Sequence, residues 1–361
     1  MLKKIELLIL IVLITGCFSA CKFTLPTSSK LSDAEAENAV KAVWSPYVGI
    51  HPFDPNTQQP HLQKLINAGA LRGARVELRI DINTSSFIDW LQSSGVEVLG
   101  HFWSGYVDWW NRGTISTGGF LEIFDQTVRQ YPGVRVWQMG GELTGWKVSP
   151  EKAMELFKAL FHHVKQNYPW IILVSPATAG NGSSADDLRR MIDAGLDKLC
   201  QEGLEIVSIH FYSWNSTRLA EFQSQVARLT ISTRIWITET NDFPPNWSTQ
   251  TGYVAEMYPK LRSALRAERI YWYVFSEGRN FHNGEFGLVK GLADYPPVEY
   301  SPLMNLLIGA GNTNLSVSDA ALDNFGVSPE ILPDMTPRLP PGMNRDADKP
   351  SRHNPRERRS Q

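Results

Sequence analysis

Cysteine is scarce in this chain, with three in 361 residues (Cys17, Cys21, Cys200). That is too few to staple a small scaffold, and no Cys/His cluster has the spacing of structural zinc. Net charge is equally scarce. Thirty-five Lys and Arg stand against 37 Asp and Glu, leaving −2, which argues against a nucleic-acid partner, whose basic face would show in the sum. The N-terminal apolar run, Leu7–Ile14, has eight residues. As a helix it would rise about 12 Å, far short of a ~30 Å membrane core. No internal repeat is visible. No pair of histidines has a metal-binding context, so neither a metal nor another cofactor is expected.

What is present begins with a targeting segment. Lys3 and Lys4 precede the apolar run, and Ile14-Thr15-Gly16-Cys17 follows it. This tetrapeptide resembles the bacterial lipobox, whose Cys becomes the lipid-bearing first residue of the mature chain. Residues 1–17 are therefore expected to be a lipoprotein-type signal segment, with Cys17 lipidated. The protein would sit at the cell envelope outside the cytoplasm and touch the membrane only through that anchor. An ordinary signal peptide cut near Ala20, giving a secreted protein, is the alternative. Residues 18–42 are polar and small and read as a flexible tether. From residue 313 the apolar period decays into Pro- and Arg-rich sequence (Pro340, Pro341, Arg352, Arg356, Arg358, Arg359), so 313–361 reads as a disordered tail.

Between them, residues 43–312 alternate strand-like and helical patterns. The strand candidates are Val48–His51, Val76–Ile80, Val96–Phe102, Val134–Met139, Ile171–Ser175, Glu205–Phe211, Arg234–Thr238 and Ile270–Phe275. Several are continuous β-branched and aromatic runs, as expected of parallel strands covered on both faces. Helical spacing follows each, as in Phe120, Phe124, Val128 and Tyr131, or in Met154, Phe157, Leu160, Phe161 and Val164 behind a Ser149-Pro150 start. Eight such units in about 270 residues predict a (β/α)8 TIM barrel. A doubly wound open sheet usually has fewer strands and often a Gly-rich phosphate turn after the first one. Here that strand ends Gly49-Ile50-His51-Pro52.

Reactive groups in such a barrel sit at the C-terminal ends of the strands. Those ends carry Arg79-Ile80-Asp81, His101-Phe102-Trp103, Trp137-Gln138-Met139-Gly140-Gly141-Glu142, His210-Phe211-Tyr212, Trp236-Ile237-Thr238-Glu239 and Tyr271-Trp272. Two glutamates at the ends of the fourth and seventh strands, with polar and aromatic neighbours, are what glycoside hydrolysis needs: one carboxyl to protonate the leaving oxygen, the other to attack or to stabilise positive charge. Aromatic faces suit the apolar faces of sugar rings, and the chain has 12 Trp. The ordered set, together with Phe281–Leu288, resembles the glycoside hydrolases of clan A over about residues 44–309, with families 5 and 39 the most similar.

The resemblance implies an oligo- or polysaccharide substrate and a double displacement with retention. Glu142 would be the general acid/base and Glu239 the nucleophile. Arg79 and Tyr212 would hydrogen-bond Glu239. His210 would orient this group or contact hydroxyls, Trp272 would floor the subsite of the reacting sugar, and His101 and Trp103 would be further contacts. One position departs from the clan. The acid/base usually follows an Asn that binds the sugar 2-hydroxyl, and here Gly141 stands there. Three consequences are open: another residue binds the 2-position, the substrate differs there, or hydrolysis is weak or absent. The last would make the chain a carbohydrate-binding barrel. A transglycosylase using the same two carboxylates is a further alternative. Sugar identity, linkage and oligomeric state are not legible.

Overall fold

The computed structural model describes residues 33–50, 55–143, 145–177, 184–276, 286–290, 292 and 298–309. Cys17, the signal segment, the 313–361 tail and Phe281–Glu285 lie outside the described residues. Eight strands, β1 (Tyr47–Ile50), β2 (Gly73–Leu78), β3 (Glu97–Phe102), β4 (Val136–Met139), β5 (Ile172–Val174), β6 (Ile206–Phe211), β7 (Arg234–Thr240) and β8 (Ala267–Trp272), pair in parallel and in chain order. The barrel closes where β1 meets β8. The helices are α1 (Asp33–Val43), α2 (Pro55–Asn67), α3 (Ser85–Ser93), α4 (Ser104–Asn111), α5 (Thr117–Gln130), α6 (Pro150–Asn167), α7 (Ser184–Asp193), α8 (Leu196–Gln201), α9 (Ser216–Val226), α10 (Trp247–Leu265) and α11 (Pro302–Gly309). A short antiparallel pair, β9 (Val289–Lys290) and β10 (Glu299–Tyr300), follows the barrel. The architecture is thus a (β/α)8 barrel.

The helices form because their apolar residues recur on one face, and several are capped at the start by a side chain. Ser116 accepts from Gly119 N at the start of α5, which buries Phe120, Phe124 and Val128. Ser149 caps α6, with Pro150 in its first turn. These faces pack on the outward side chains of the strands. Phe102, for example, meets Phe120 and Phe124 edge-on at 5.3 Å. Each such fully buried side chain contributes roughly 1.5–3 kcal/mol.

The inward residues fill the barrel in layers. One interior cluster holds Tyr47, Leu99, Val136, Val174, Ile206, Trp236 and Tyr271, all buried. Beside it the Arg269 guanidinium lies 4.2 Å from the Trp236 ring and 4.9 Å from Tyr47, and it pairs with Glu97 at 2.8 Å.

One expectation about the outer parts needs correction. The tether of residues 18–42 is not loose over its described part, because from Asp33 it is helix α1. Val40 and the following Trp44 are buried there, and Trp44 stacks on Tyr258 of α10 at 6.0 Å. After the third strand the chain turns at once into α4, Ser104–Asn111.

Candidate active site

Strand alternation sends every second side chain into the barrel. On β2 these are Gly73, Arg75 and Glu77; on β4, Val136 and Gln138; on β6, Ile206, Ser208 and His210. At the C-terminal end they meet a carboxylate from β7. Arg75 donates from Nη1 to Glu239 Oε1 at 2.6 Å and from Nε to Gln138 Oε1 at 2.7 Å. Gln138 in turn donates to Ser208 Oγ (3.0 Å) and Thr238 Oγ1 (3.1 Å). Tyr212 donates to Glu239 Oε2 at 2.6 Å. Strict alternation would put Thr238 and Glu239 on opposite faces. Both point inward because the β6/β7 register shifts at Ile209/His210 and the β7/β8 register shifts between Ile237 and Thr240. Such irregularities re-aim side chains beside active sites.

Glu142 reaches the same place from the turn after β4. His210 Nδ1 lies 3.5 Å from Glu142 Oε1 and 3.3 Å from Glu239 Oε2. An oxygen of each glutamate falls within 4.8 Å of the other. The two differ in exposure: the Glu142 side chain is 37% exposed and that of Glu239 10%. Glu142 has φ 46°, a left-handed conformation that costs a non-glycine residue about 1–3 kcal/mol and persists only where its surroundings impose it. Here Ser104 Oγ grips the preceding peptide, accepting from Gly141 N (2.8 Å) and donating to Gly141 O (2.9 Å). Gly145 N donates to the Glu142 carbonyl at 2.8 Å.

Burial pushes the Tyr212 phenol well above its ordinary range, and the charges of Glu239 and Glu142 add to this. Tyr273 is raised by the same causes. Both phenols therefore stay protonated, and Tyr212 remains a donor to Glu239. Burial also raises the Glu77 carboxyl, against the pull of Arg79 and Arg75.

Two expected site residues are placed elsewhere. Arg79 does not touch Glu239. It follows β2, forks onto Asp81 (2.8 and 2.5 Å) and lies 3.9 Å over the Trp103 ring. Arg75, four residues earlier and so two inward positions deeper, holds Glu239 instead. Trp272 is no sugar floor, because it points outward, is fully buried, and packs 6.4 Å from both Trp44 and Tyr253. The next residue, Tyr273, is partly exposed and meets Tyr212 edge-on at 6.0 Å. His101, His210 and Tyr212 are brought to the carboxylates or their border, and Trp103 stands on the rim. Sequence reasoning missed Arg75, Gln138, Glu77 and Tyr273; a run of Arg75 and Glu77 at alternate positions inside an apolar strand was the available signal.

Gly141 is explained by close approach. A Cβ on it would stand 2.8 Å from Arg75 Nη2, 3.2 Å from His210 Cε1 and 3.4 Å from His101 Nε2. A side chain there would require the Arg75 guanidinium, which holds Glu239, to shift. Arg75 Nη2 and both ring nitrogens of His210 are buried without a hydrogen-bond partner among the described residues.

No known family profile and no curated protein matches the chain. Solved structures do. A family 51 α-L-arabinofuranosidase from Bifidobacterium longum superposes with a TM-score of 0.50 at 12% identity, over 75% of this chain and 74% of that one. A GH2 β-galacturonidase from Eisenbergiella tayi, solved with galacturonate bound, gives 0.51 at 12% identity, over 74% of this chain. The chain spans about half (51%) of that second protein. At these identities the likeness is one of fold.

Proposed function

We propose that the chain is a retaining glycoside hydrolase acting on an oligo- or polysaccharide. The observation that carries this is the approach of the Glu142 and Glu239 oxygens to within 4.8 Å across the barrel mouth. Retaining enzymes hold their two carboxyls about 5–5.5 Å apart, whereas inverting ones leave room for a water at about 6.5–9.5 Å. The two solved structures of the same fold, an arabinofuranosidase and a galacturonidase, agree with this class.

In the first step Glu239 Oε attacks the anomeric carbon while Glu142 gives its proton to the departing glycosidic oxygen, leaving a glycosyl ester on Glu239. In the second, Glu142 takes a proton from water, and the hydroxide oxygen displaces Glu239 from the same carbon. The exposure of Glu142 suits the group that must meet water, and the burial of Glu239 suits the group that must not. Arg75 and Tyr212 hold the Glu239 carboxylate in place before and after attack. The 2-position contact made elsewhere by an Asn passes to the open donors beside Gly141, Arg75 Nη2 and His210.

Incubation of the mature chain with aryl glycosides and glycan panels should release sugar, first seen as the retained anomer by proton NMR. Glu239→Gln should abolish release without loss of fold. Binding by wild type without turnover would instead support the second reading, a carbohydrate-binding barrel, which Gly141 favours. Cys17 is proposed to carry the lipid anchor; Cys17→Ser should end metabolic labelling by palmitate.

A further inference from the structure

The mouth of the barrel carries aromatic side chains that the two-glutamate chemistry does not use. Trp103, at the end of β3, stands at their centre. Its ring lies so close over Gly105 that a Cβ there would fall 2.3–2.5 Å from the indole carbons. Arg79, itself fixed by Asp81, stacks 3.9 Å from the ring. Tyr106, Trp109 and Trp146 meet it edge-on at 5.0, 5.7 and 6.4 Å. Trp109 and Trp146 are each 40% exposed. Large apolar rings left in water on a surface mark a binding site, and rings locked by their neighbours lose little freedom when a ligand covers them.

The patch is continuous with the candidate active site. Trp146 lies four residues after Glu142 in the same turn, where Trp146 N donates to Leu143 O at 3.0 Å. We infer that Trp103, Trp109 and Trp146 form a saccharide platform beyond the subsite of the reacting sugar, so that the preferred substrate is a chain of sugars extending over the β3–β4 side. The occupant is a saccharide because the patch opens beside a pair of carboxylates suited to a glycosidic bond. The inference rests on that reading of the site as carbohydrate-binding, though not on turnover.

The test uses the Glu239→Gln chain, which binds without cleaving, and cello-, laminari-, xylo- and arabino-oligosaccharides of one to six units, followed by calorimetry. Affinity should rise with chain length in at least one series. Trp109→Ala and Trp146→Ala should each cut the gain for the longer chains about tenfold, and Trp109→Phe should restore part of it. Melting temperatures confirm that each variant folds. Affinity independent of chain length in every series, or an equal loss for the single sugar and the hexamer, overturns the platform. Failure of wild type to release sugar, with the chain-length effect intact, would sink the hydrolase reading alone.

Discussion

Arg75 and Tyr273 show how a small shift along a strand decides a side chain's role. The chain offers Arg79 and Trp272 as conspicuous partners for such a site, yet the residue four places before the first holds Glu239 and the one just after the second meets Tyr212. This gives opposite expectations for adjacent residues. Trp272→Ala should cost about 3–5 kcal/mol of stability by opening a core cavity, with substrate affinity little changed in the protein that remains folded. Tyr273→Ala should leave the melting temperature much closer to wild type and weaken sugar binding. Denaturant melts and calorimetry on the two variants separate the roles. Gly141→Asn is a second test. Asparagine is the residue found at this place in the glycoside hydrolases that the sequence resembles, but its Cβ would displace the Arg75 guanidinium. Turnover should therefore fall, with overpacking costing roughly 1–3 kcal/mol. A rise in kcat/KM would show that the loop yields and that the close approach is not a constraint.

At the level of elements, most of the barrel was legible. All eight strands stand in the expected order, since their outward faces are apolar and the helices between them carry clear apolar periods. The errors fall on β2 and β8, whose expected spans, Val76–Ile80 and Ile270–Phe275, are displaced toward the C-terminus by about three residues. The reason is physical. Both strands carry a buried arginine near their start, Arg75 and Arg269, and a charge inside a barrel breaks the apolar pattern that marks a strand. The same displacement led to Arg79 and Trp272. The irregular pairing that turns Glu239 inward has no signature in the sequence, because it depends on neighbouring strands. Helix α1 was lost in a stretch of small polar residues, although Val40 and Trp44 pack on α10. A chain beginning at Trp44 should be less stable than one beginning at Asp33 by about 2–3 kcal/mol, roughly 5–10 °C in melting temperature. Identical melts would return the segment to the status of a tether.

For the molecule as a whole, the charges gathered at the mouth set a dependence of stability on pH. Burial raises the folded-state pKa of Glu77, so the folded chain holds that proton more tightly than the unfolded chain does. Its contribution is fully present below the ordinary carboxylate value and is lost as pH rises through the raised folded value. Glu77→Gln removes the penalty of the charged form. The variant should gain melting temperature over wild type at pH 7 and show no such gain at pH 4. An equal effect at both would mean that Arg75 and Arg79 fully compensate the charge.

The stack of Arg269 against Trp236 and Tyr47 fills the barrel interior near the starts of the strands, so the candidate site opens only at the other end. Whatever saccharide goes in must back out by the same doorway. If the chain turns over saccharides as proposed, a released fragment stands where the next molecule has to enter, and added product should slow turnover by raising KM while leaving kcat untouched.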